Sequence, residues 1–288
     1  MRSWRTPLLA VLAVSLAVAS VLVVRSRQRG WDHPAPLRPD SSILFSALAP
    51  TEAPDIFRRY FTKNDLARAD TLPNDFDFER RRLYGLPTSL RREWEGFPGV
   101  RHWVEAGCGE DTPRTIIYDP ENRELTPKNE QADFLGSINK AIRMVESTGC
   151  HDFGLAPGSS ILFGLDGTEC TYSLADSDLY DIDWTRVDLV DIQAQRLLSP
   201  GCLEKDGLVT YEAAVSDVAQ HVRKVNPDIL VFSQVSFRDN DPLDMLEGLQ
   251  TVGDTIDGIY FSYPSNNTDI PCEYCSPENL ELFLSEVR

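Results

Sequence analysis

Basic residues are scarce in this sequence relative to acidic ones. Its 288 residues include 28 Lys and Arg against 45 Asp and Glu, which gives a net charge of −17 at pH 7. Residues 1–30 hold several arginines and no acid, so the rest of the chain is more acidic still. A body this acidic repels phosphate backbones, which excludes nucleic acid as a partner and favours a neutral or cationic ligand.

Two motifs that would bind a cofactor are also missing. No glycine-rich phosphate loop follows any predicted strand, and this argues against a dinucleotide-binding fold. None of the four histidines lies beside the Cys-x-x-Cys sequence at Cys272 to Cys275, whereas a zinc site needs His and Cys ligands at close spacing. The sequence therefore predicts neither a metal ion nor another cofactor.

Only one long hydrophobic run is present. Leu8–Val24 contains no charged residue, and arginines flank it on both sides. At 1.5 Å per residue it spans roughly 25 Å, enough for a tilted membrane span or for the core of a signal peptide. Because the run continues past the potential cleavage site at Ala17 to Ala19, we predict an uncleaved signal anchor in residues 1–30, with cleavage and secretion as the alternative.

The anchor would hold the protein in the lipid bilayer of the plasma membrane through residues 8–24, with the folded domain outside the cytoplasm. Residues 31–42 contain three prolines and no hydrophobic pattern, so we predict a linker there. The sequence leaves the oligomeric state open.

Beyond the linker, the hydrophobic pattern predicts a single α/β domain over residues 43–288. Strand and helix patterns alternate from residue 115 onward, with short helix-to-strand connections and long strand-to-helix loops, as is typical of a TIM-like (β/α) barrel. Residues 50–98 show no convincing strand. Because only about seven strands are recognisable, we expect either an incomplete or distorted barrel or a strand hidden in residues 62–75.

Six cysteines can pair in 15 ways, but a barrel restricts the choice. Two of them precede neighbouring strands at the lower face, two lie in long upper loops, and two share the loop after the last strand. An even number arranged in this way favours an oxidising compartment. The predicted pairs are Cys108 with Cys150, Cys170 with Cys202, and Cys272 with Cys275.

Two predicted strands carry carboxylates to the functional face of the barrel. Thr115–Tyr118 is followed by Asp119 and Glu121, which share one face roughly 7 Å apart if the strand continues, so that one can shift the pKa of the other. On the predicted strand Val187–Gln195, one face carries Asp191, Gln193 and Gln195. Polar side chains on a buried strand need partners, which a ligand or each other can supply.

Further polar residues on the last two strands complete the predicted ring around the barrel mouth. They are interpreted as substrate-binding residues, and Trp184 and Tyr172 in the long loops are predicted to stack on a sugar ring. The ring residues are Gln234, Ser236, Tyr260 and Ser262.

Several of these motifs resemble a family of uncharacterised exported bacterial proteins related to glycoside-hydrolase barrels. The resemblance covers roughly residues 115–283. The strand end at Asp119 and Glu121 is also similar, more distantly, to that of chitinase-like hydrolases and barrel-fold lysozymes, although Ile117 and the residues before it replace the earlier aspartates of the chitinase motif. The motifs are Tyr118 to Glu121, Thr126-Pro127, Glu130-Gln131, Asp191 to Gln195, Asn226-Pro227, Gly258 to Tyr260 and the late Cys-x-x-Cys.

The resemblance implies hydrolysis of a glycan, with an N-acetylated sugar as one candidate. Glu121 would then protonate the leaving oxygen, and Asp119 or Asp191 would be its partner. The alternative is a non-catalytic surface protein that binds a glycan or peptide at the same mouth. It is favoured by Gln193 and Gln195, which stand where a hydrolase would carry a carboxylate.

Overall fold

The structure is a computed structural model that describes residues 37–38, 40–45, 53–69, 83–121, 125–163, 170–174, 177–238, 240–263 and 272–288. The predicted signal anchor and most of the predicted linker lie outside these residues. Across the described ranges, the structure contains no helix that combines the length and the apolar character of a membrane span.

Eight parallel strands close into a barrel. Their order around it is β1-β10-β9-β8-β7-β6-β3-β2, and β1 pairs with both β2 and β10. The predicted barrel is therefore confirmed, and it is complete. The barrel strands are β1 Ser42–Phe45, β2 Leu66–Arg68, β3 Leu83–Gly85, β6 Thr115–Tyr118, β7 Asp152–Leu155, β8 Leu189–Ile192, β9 Leu230–Ser236 and β10 Gly258–Ser262, and a separate hairpin joins β4 Glu93–Trp94 to β5 Phe97–Pro98.

The described residues form nine α-helices, which follow the strands along the chain. Two helices begin at a proline that follows a capping side chain, because Asp241 and Ser276 each accept a backbone N–H group. The helices are α1 Pro54–Tyr60, α2 Val100–Ala106, α3 Lys128–Gln131, α4 Phe134–Glu146, α5 Ser159–Phe163, α6 Pro200–Leu203, α7 Gly207–Val225, α8 Pro242–Val252 and α9 Pro277–Val287.

The segment in which no strand was expected contains two barrel strands and the hairpin. β2 lies inside residues 62–75, so the predicted hidden strand is confirmed, whereas β3 and the hairpin contradict the expectation for residues 50–98. β2 and β3 have three residues each, too few to display the alternation by which a strand is recognised.

The lower part of the barrel interior is a packed apolar core. Each of the eight strands, or the residue directly after it, contributes one side chain, so this layer is filled and is not a channel. The polar side chains at the carboxyl ends of the strands lie above it. The core residues are Leu44, Leu66, Tyr84, Ile117, Ala156, Leu189, Phe232 and Tyr260.

All three predicted disulfides are present. The Cα atoms of the pairs are 6.0 Å apart for Cys108–Cys150, 5.2 Å for Cys170–Cys202 and 5.4 Å for Cys272–Cys275. Three disulfides and no free cysteine among the described residues indicate an oxidising environment.

Candidate functional site

Asp119 follows β6 at the carboxyl end of the barrel and is 9% exposed. Its backbone N–H donates to the carbonyl of Pro87 over 2.9 Å. On the other side, the N–H groups of Ala156 and Gly158 donate to Tyr118 and Pro120 over 2.8 and 3.0 Å. These bonds keep the backbone in register with its neighbours beyond the end of β6. Because side chains two residues apart on extended chain share a face, Asp119 and Glu121 lie on the same side.

Gln193 fixes the carboxylate of Asp119. Its Nε2 donates to Asp119 Oδ1 over 2.7 Å and to the carbonyl of Ala156 over 2.9 Å. Gln193 follows β8 and is 7% exposed, and its side chain reaches past the end of β7 to the end of β6. Both amide hydrogens have acceptors, and the arrangement holds Asp119 in one orientation.

Asp191 lies on β8, two residues before Gln193, and is 2% exposed. Its Oδ1 has no hydrogen-bond partner among the described residues. Burial, and after it the charge of Asp119, raises the pKa of the Asp191 carboxyl well above its usual range. The raised pKa favours the protonated form of Asp191, close to the Asp119 carboxyl that Gln193 holds in place.

Two tyrosines and one arginine surround this pair of acids. The ring centroids of Tyr84 and Tyr260 are 6.3 Å apart in an edge-to-face arrangement, and the Tyr84 hydroxyl donates to the carbonyl of Phe45 over 3.0 Å. The pKa of Tyr260 is raised mainly by burial, and the charges of Arg68, Asp191 and Asp119 also act on it. Tyr260 belongs to the packed core, and its hydroxyl lies within electrostatic range of Arg68 and of the two acids.

Glu121 lies further out than Asp119 and is half-buried. Its backbone N–H donates to the Thr126 hydroxyl over 2.9 Å, which ties the strand end to the segment before α3. The three predicted carboxyl groups therefore differ in depth. Asp191 is enclosed, Asp119 lies just above it, and Glu121 is the one that solvent reaches.

Of the other predicted binding residues, Gln234 and Ser262 lie half-buried on β9 and β10 at the same end of the barrel. Gln234 Oε1 has no hydrogen-bond partner among the described residues. The Ser236 hydroxyl accepts the N–H of Arg238 over 3.3 Å, so it caps the end of its own strand. Gln195 departs from the prediction, because β8 ends at Ile192 and Gln195 begins a 3₁₀-helix instead of extending the strand.

The two aromatic residues predicted to stack on a sugar have other contacts. Trp184 is fully buried, and its Nε1 donates to the carbonyl of Leu179 over 2.9 Å, so the prediction for Trp184 is wrong. The hydroxyl of Tyr172 donates to Asp217 on α7 over 2.7 Å. Their place in long loops suggested exposure, but the loops fold back onto the helices.

Sequence reasoning missed Arg68 and Asn240. Arg68 ends β2, a strand too short to be recognised, and its charge acts on Tyr260. Asn240 is 1% exposed, donates from Nδ2 to the Gln195 carbonyl over 2.9 Å, and has no described partner for Oδ1. A buried Asn in a loop after a strand gives no periodic signal in the sequence.

This arrangement separates the chemical roles of its carboxyl groups. Two nearby carboxyls, one of which has its pKa raised by burial, form the pattern by which such groups acquire different functions. Among the described residues, no group of three or more His, Cys, Asp or Glu side chains is placed to hold a metal ion. The oxygens without partners on Asp191, Gln234 and Asn240 suit a ligand rich in O–H or N–H donors.

No family model and no curated protein matches this sequence. A solved pyruvate carboxylase of Rhizobium etli with acetyl coenzyme-A aligns with 72% of this chain and 19% of its own, at 11% identity and a TM-score of 0.40. Its carboxyl transferase domain with 3-bromopyruvate aligns with 90% of this chain and 42% of its own, at 12% identity and a TM-score of 0.41. An acetyl xylan esterase of Butyrivibrio proteoclasticus covers 60% of this chain and 62% of its own, at 12% identity and a TM-score of 0.27.

The chain thus spans less than half the length of these pyruvate carboxylase chains. Likenesses of this degree say nothing about what the protein binds or which reaction it performs.

Proposed function

We propose that the protein is a membrane-anchored, extracytoplasmic hydrolase that cleaves a glycan containing N-acetylated sugars. The observation that carries the proposal is the pair of buried acids at the carboxyl end of the barrel, in which Gln193 fixes Asp119 and burial raises the pKa of Asp191. The half-buried Glu121 follows Asp119 at the same end of the barrel. The anchor is the uncharged run at residues 8–24.

In the proposed reaction, Glu121 is the general acid that protonates the leaving glycosidic oxygen. The acetamide oxygen of the substrate attacks the anomeric carbon, so the bond to the leaving sugar breaks as the new C–O bond forms. Asp119 accepts the acetamide N–H and stabilises the positive charge that develops on the resulting ring. Water then opens this ring, with Glu121 now acting as base, and the anomeric configuration is retained.

Asp191 and Gln193 act through Asp119. Gln193 orients the carboxylate, and the raised pKa of Asp191 reduces the negative charge close to Asp119. A glutamine at position 193 therefore does not count against catalysis, since a carboxylate there would repel Asp119.

The test compares the full-length protein with Glu121→Gln and Asp119→Asn in the release of reducing sugar from chitin oligomers and peptidoglycan. Each variant is expected to lose about 10² to 10⁴-fold in kcat, the usual contribution of a general acid or its partner. The matched control is Glu212→Gln, an exposed glutamate on α7, which should retain full activity.

The second candidate function is glycan binding without cleavage. It is favoured by Gln234 and Asn240, because their side-chain oxygens accept no hydrogen bond from the described residues. Glycan binding by the parent and by Glu121→Gln, with no sugar released by either, would select this alternative and reject the hydrolase.

A further inference from the structure

A cavity of about 430 Å³ lies outside the barrel, between the segment that follows β3 and the helices α2 and α4. Its lining brings together four cationic side chains from three segments of the chain. Arg91 and Arg92 come from the segment before the hairpin, Arg101 from α2 and Lys140 from α4. We call this cavity the basic pocket. The protein has a net charge of −17, so four cations around one cavity are a local concentration of positive charge.

The two acids of the basic pocket are already bound to other groups. Glu130 accepts the N–H of Leu90 over 2.9 Å and the hydroxyl of Tyr118 over 3.0 Å, and burial raises the pKa of its carboxyl. Asp133 caps α4 and accepts the N–H of Gly136 over 2.9 Å. Both carboxyls therefore face backbone or hydroxyl donors, and they leave the pocket's cations only partly balanced.

The cations themselves have few partners. Arg92 pairs with Glu105 at 3.5 Å, but both side chains are more than half exposed, so the pair is weak. Arg91 packs over the ring of Trp94, with its guanidinium carbon 4.6 Å from the centroid. In the part of the chain that the structure describes, Arg101 and Lys140 form no ion pair. The charges of Arg91 and Lys140 act on the buried Glu130, and the exposed side chains of Arg101 and Lys140 can reach a ligand in the pocket.

The first turn of α4 forms one wall of the cavity. Gly136 and Ser137 line it, but the carboxylate of Asp133 caps this helix end. The positive charge of the pocket therefore comes from its four cationic side chains. The volume of the basic pocket falls within the range of small-molecule sites, about 300 to 1,000 Å³.

We propose that the basic pocket is a second binding site, which takes a sugar-sized molecule through an anionic phosphate or carboxylate group. Arg101 and Lys140 supply the charge from two helices, and Arg91 and Arg92 close the third side. The overall charge of the chain favours neutral or cationic ligands. The potential inside one cavity depends mainly on nearby charges, because salt at about 0.1 M screens interactions between charges that are more than about 8 to 10 Å apart. The site stands independently of the proposed hydrolase.

The experiment is calorimetric titration of the full-length protein with inorganic phosphate, with glucuronate and with glucose at low salt. Phosphate or glucuronate is expected to bind, with an affinity that falls as salt is added, and glucose is not. Tighter binding of phosphate would identify a phosphorylated ligand, and tighter binding of glucuronate a uronic acid.

Charge reversal locates the site. The double variant Arg101→Glu/Lys140→Glu should weaken anion binding at least tenfold, and Arg101→Gln/Lys140→Gln should weaken it less. The control pair Lys205→Glu/Lys224→Glu makes the same change in net charge at exposed positions away from the cavity and should stay within twofold of the parent. Equal losses in the two reversed pairs, binding of glucose as tight as that of the anions, or no anion binding at all would overturn the proposal.

Discussion

Asp191 makes stability depend on pH. Its carboxyl has a higher pKa in the folded protein than in the unfolded chain, chiefly through burial. As pH rises above about 4, the unfolded chain releases this proton while the folded protein still holds it. The free energy of unfolding therefore decreases as pH rises through the range between the two pKa values.

The variant Asp191→Asn keeps the shape of the neutral acid and removes its titration. At pH 8 we expect it to be more stable than the parent by roughly 1 to 3 kcal/mol, the usual cost of a buried polar group without its partner. Near pH 4 the difference should vanish. Urea unfolding from pH 4 to 8 measures the difference in the free energy of unfolding between variant and parent at each pH, with the exposed Asp228→Asn as control. Stability profiles for parent and variant that run parallel across this range would contradict the account.

Single residues of the site were predictable to the extent that they lie on recognisable strands. Asp119, Asp191 and Gln193 follow from period-two patterns at the ends of β6 and β8, and the structure brings them together. Arg68 was missed because β2 shows no pattern. Trp184 was misjudged because a long loop does not reveal whether it packs back onto the protein.

At the scale of elements, one glycine determines how α2 packs on the barrel. Gly85 lies on the outer face of β3, and a Cβ there would be 2.6 Å from Nε1 of Trp103 on α2. Contacts that short do not occur between real side chains, so the indole would have to move.

We expect Gly85→Ala to lower the free energy of unfolding by about 1 to 3 kcal/mol, the typical cost of overpacking a filled core. The fluorescence of the displaced Trp103 should change with it. Gly201→Ala is the matched control, because nothing lies within 4 Å of a Cβ at that position. Equal stability of the two variants in urea would show that Trp103 is not held against β3.

Helices were easier to predict than strands because their ends carry local signals. Proline after a capping Asp or Ser marks the start of α8 and α9. Gly107, with φ of 72°, directly follows α2. After Pro127 the helical segment is divided into α3 and α4, and Asp133 caps the second of these helices.

At the scale of the whole molecule, two disulfides close long loops of the barrel. Cys108–Cys150 spans 42 residues and Cys170–Cys202 spans 32, whereas Cys272–Cys275 spans 3. The chain-entropy model assigns about 4 kcal/mol to each of the long loops and about 2 kcal/mol to the short one.

Replacing Cys108 and Cys150 by serine should therefore lower the free energy of unfolding by roughly twice as much as the same change at Cys272 and Cys275. Urea unfolding of the two double-serine variants gives the comparison. A larger loss at Cys272 and Cys275 would mean that strain or local packing, and not loop closure, governs these bonds.

The disulfide pairs were predictable because topology, not local sequence, determines which loops meet. A barrel places two of the cysteines at its lower face, two in its upper loops and two in the loop after the last strand. The site itself was only partly predictable, because the distance between side chains from β2, β6 and β8 depends on closure of the barrel.

That closure has a consequence for biosynthesis. β1 pairs with β2 on one side and with β10 on the other. One edge of β1 therefore stays unpaired until the ribosome has made β10, near the end of the domain. An unpaired strand edge is a site of association between chains. Translocation of an unfolded chain, followed by closure once β10 has emerged, would keep that edge from meeting other copies in the cytoplasm.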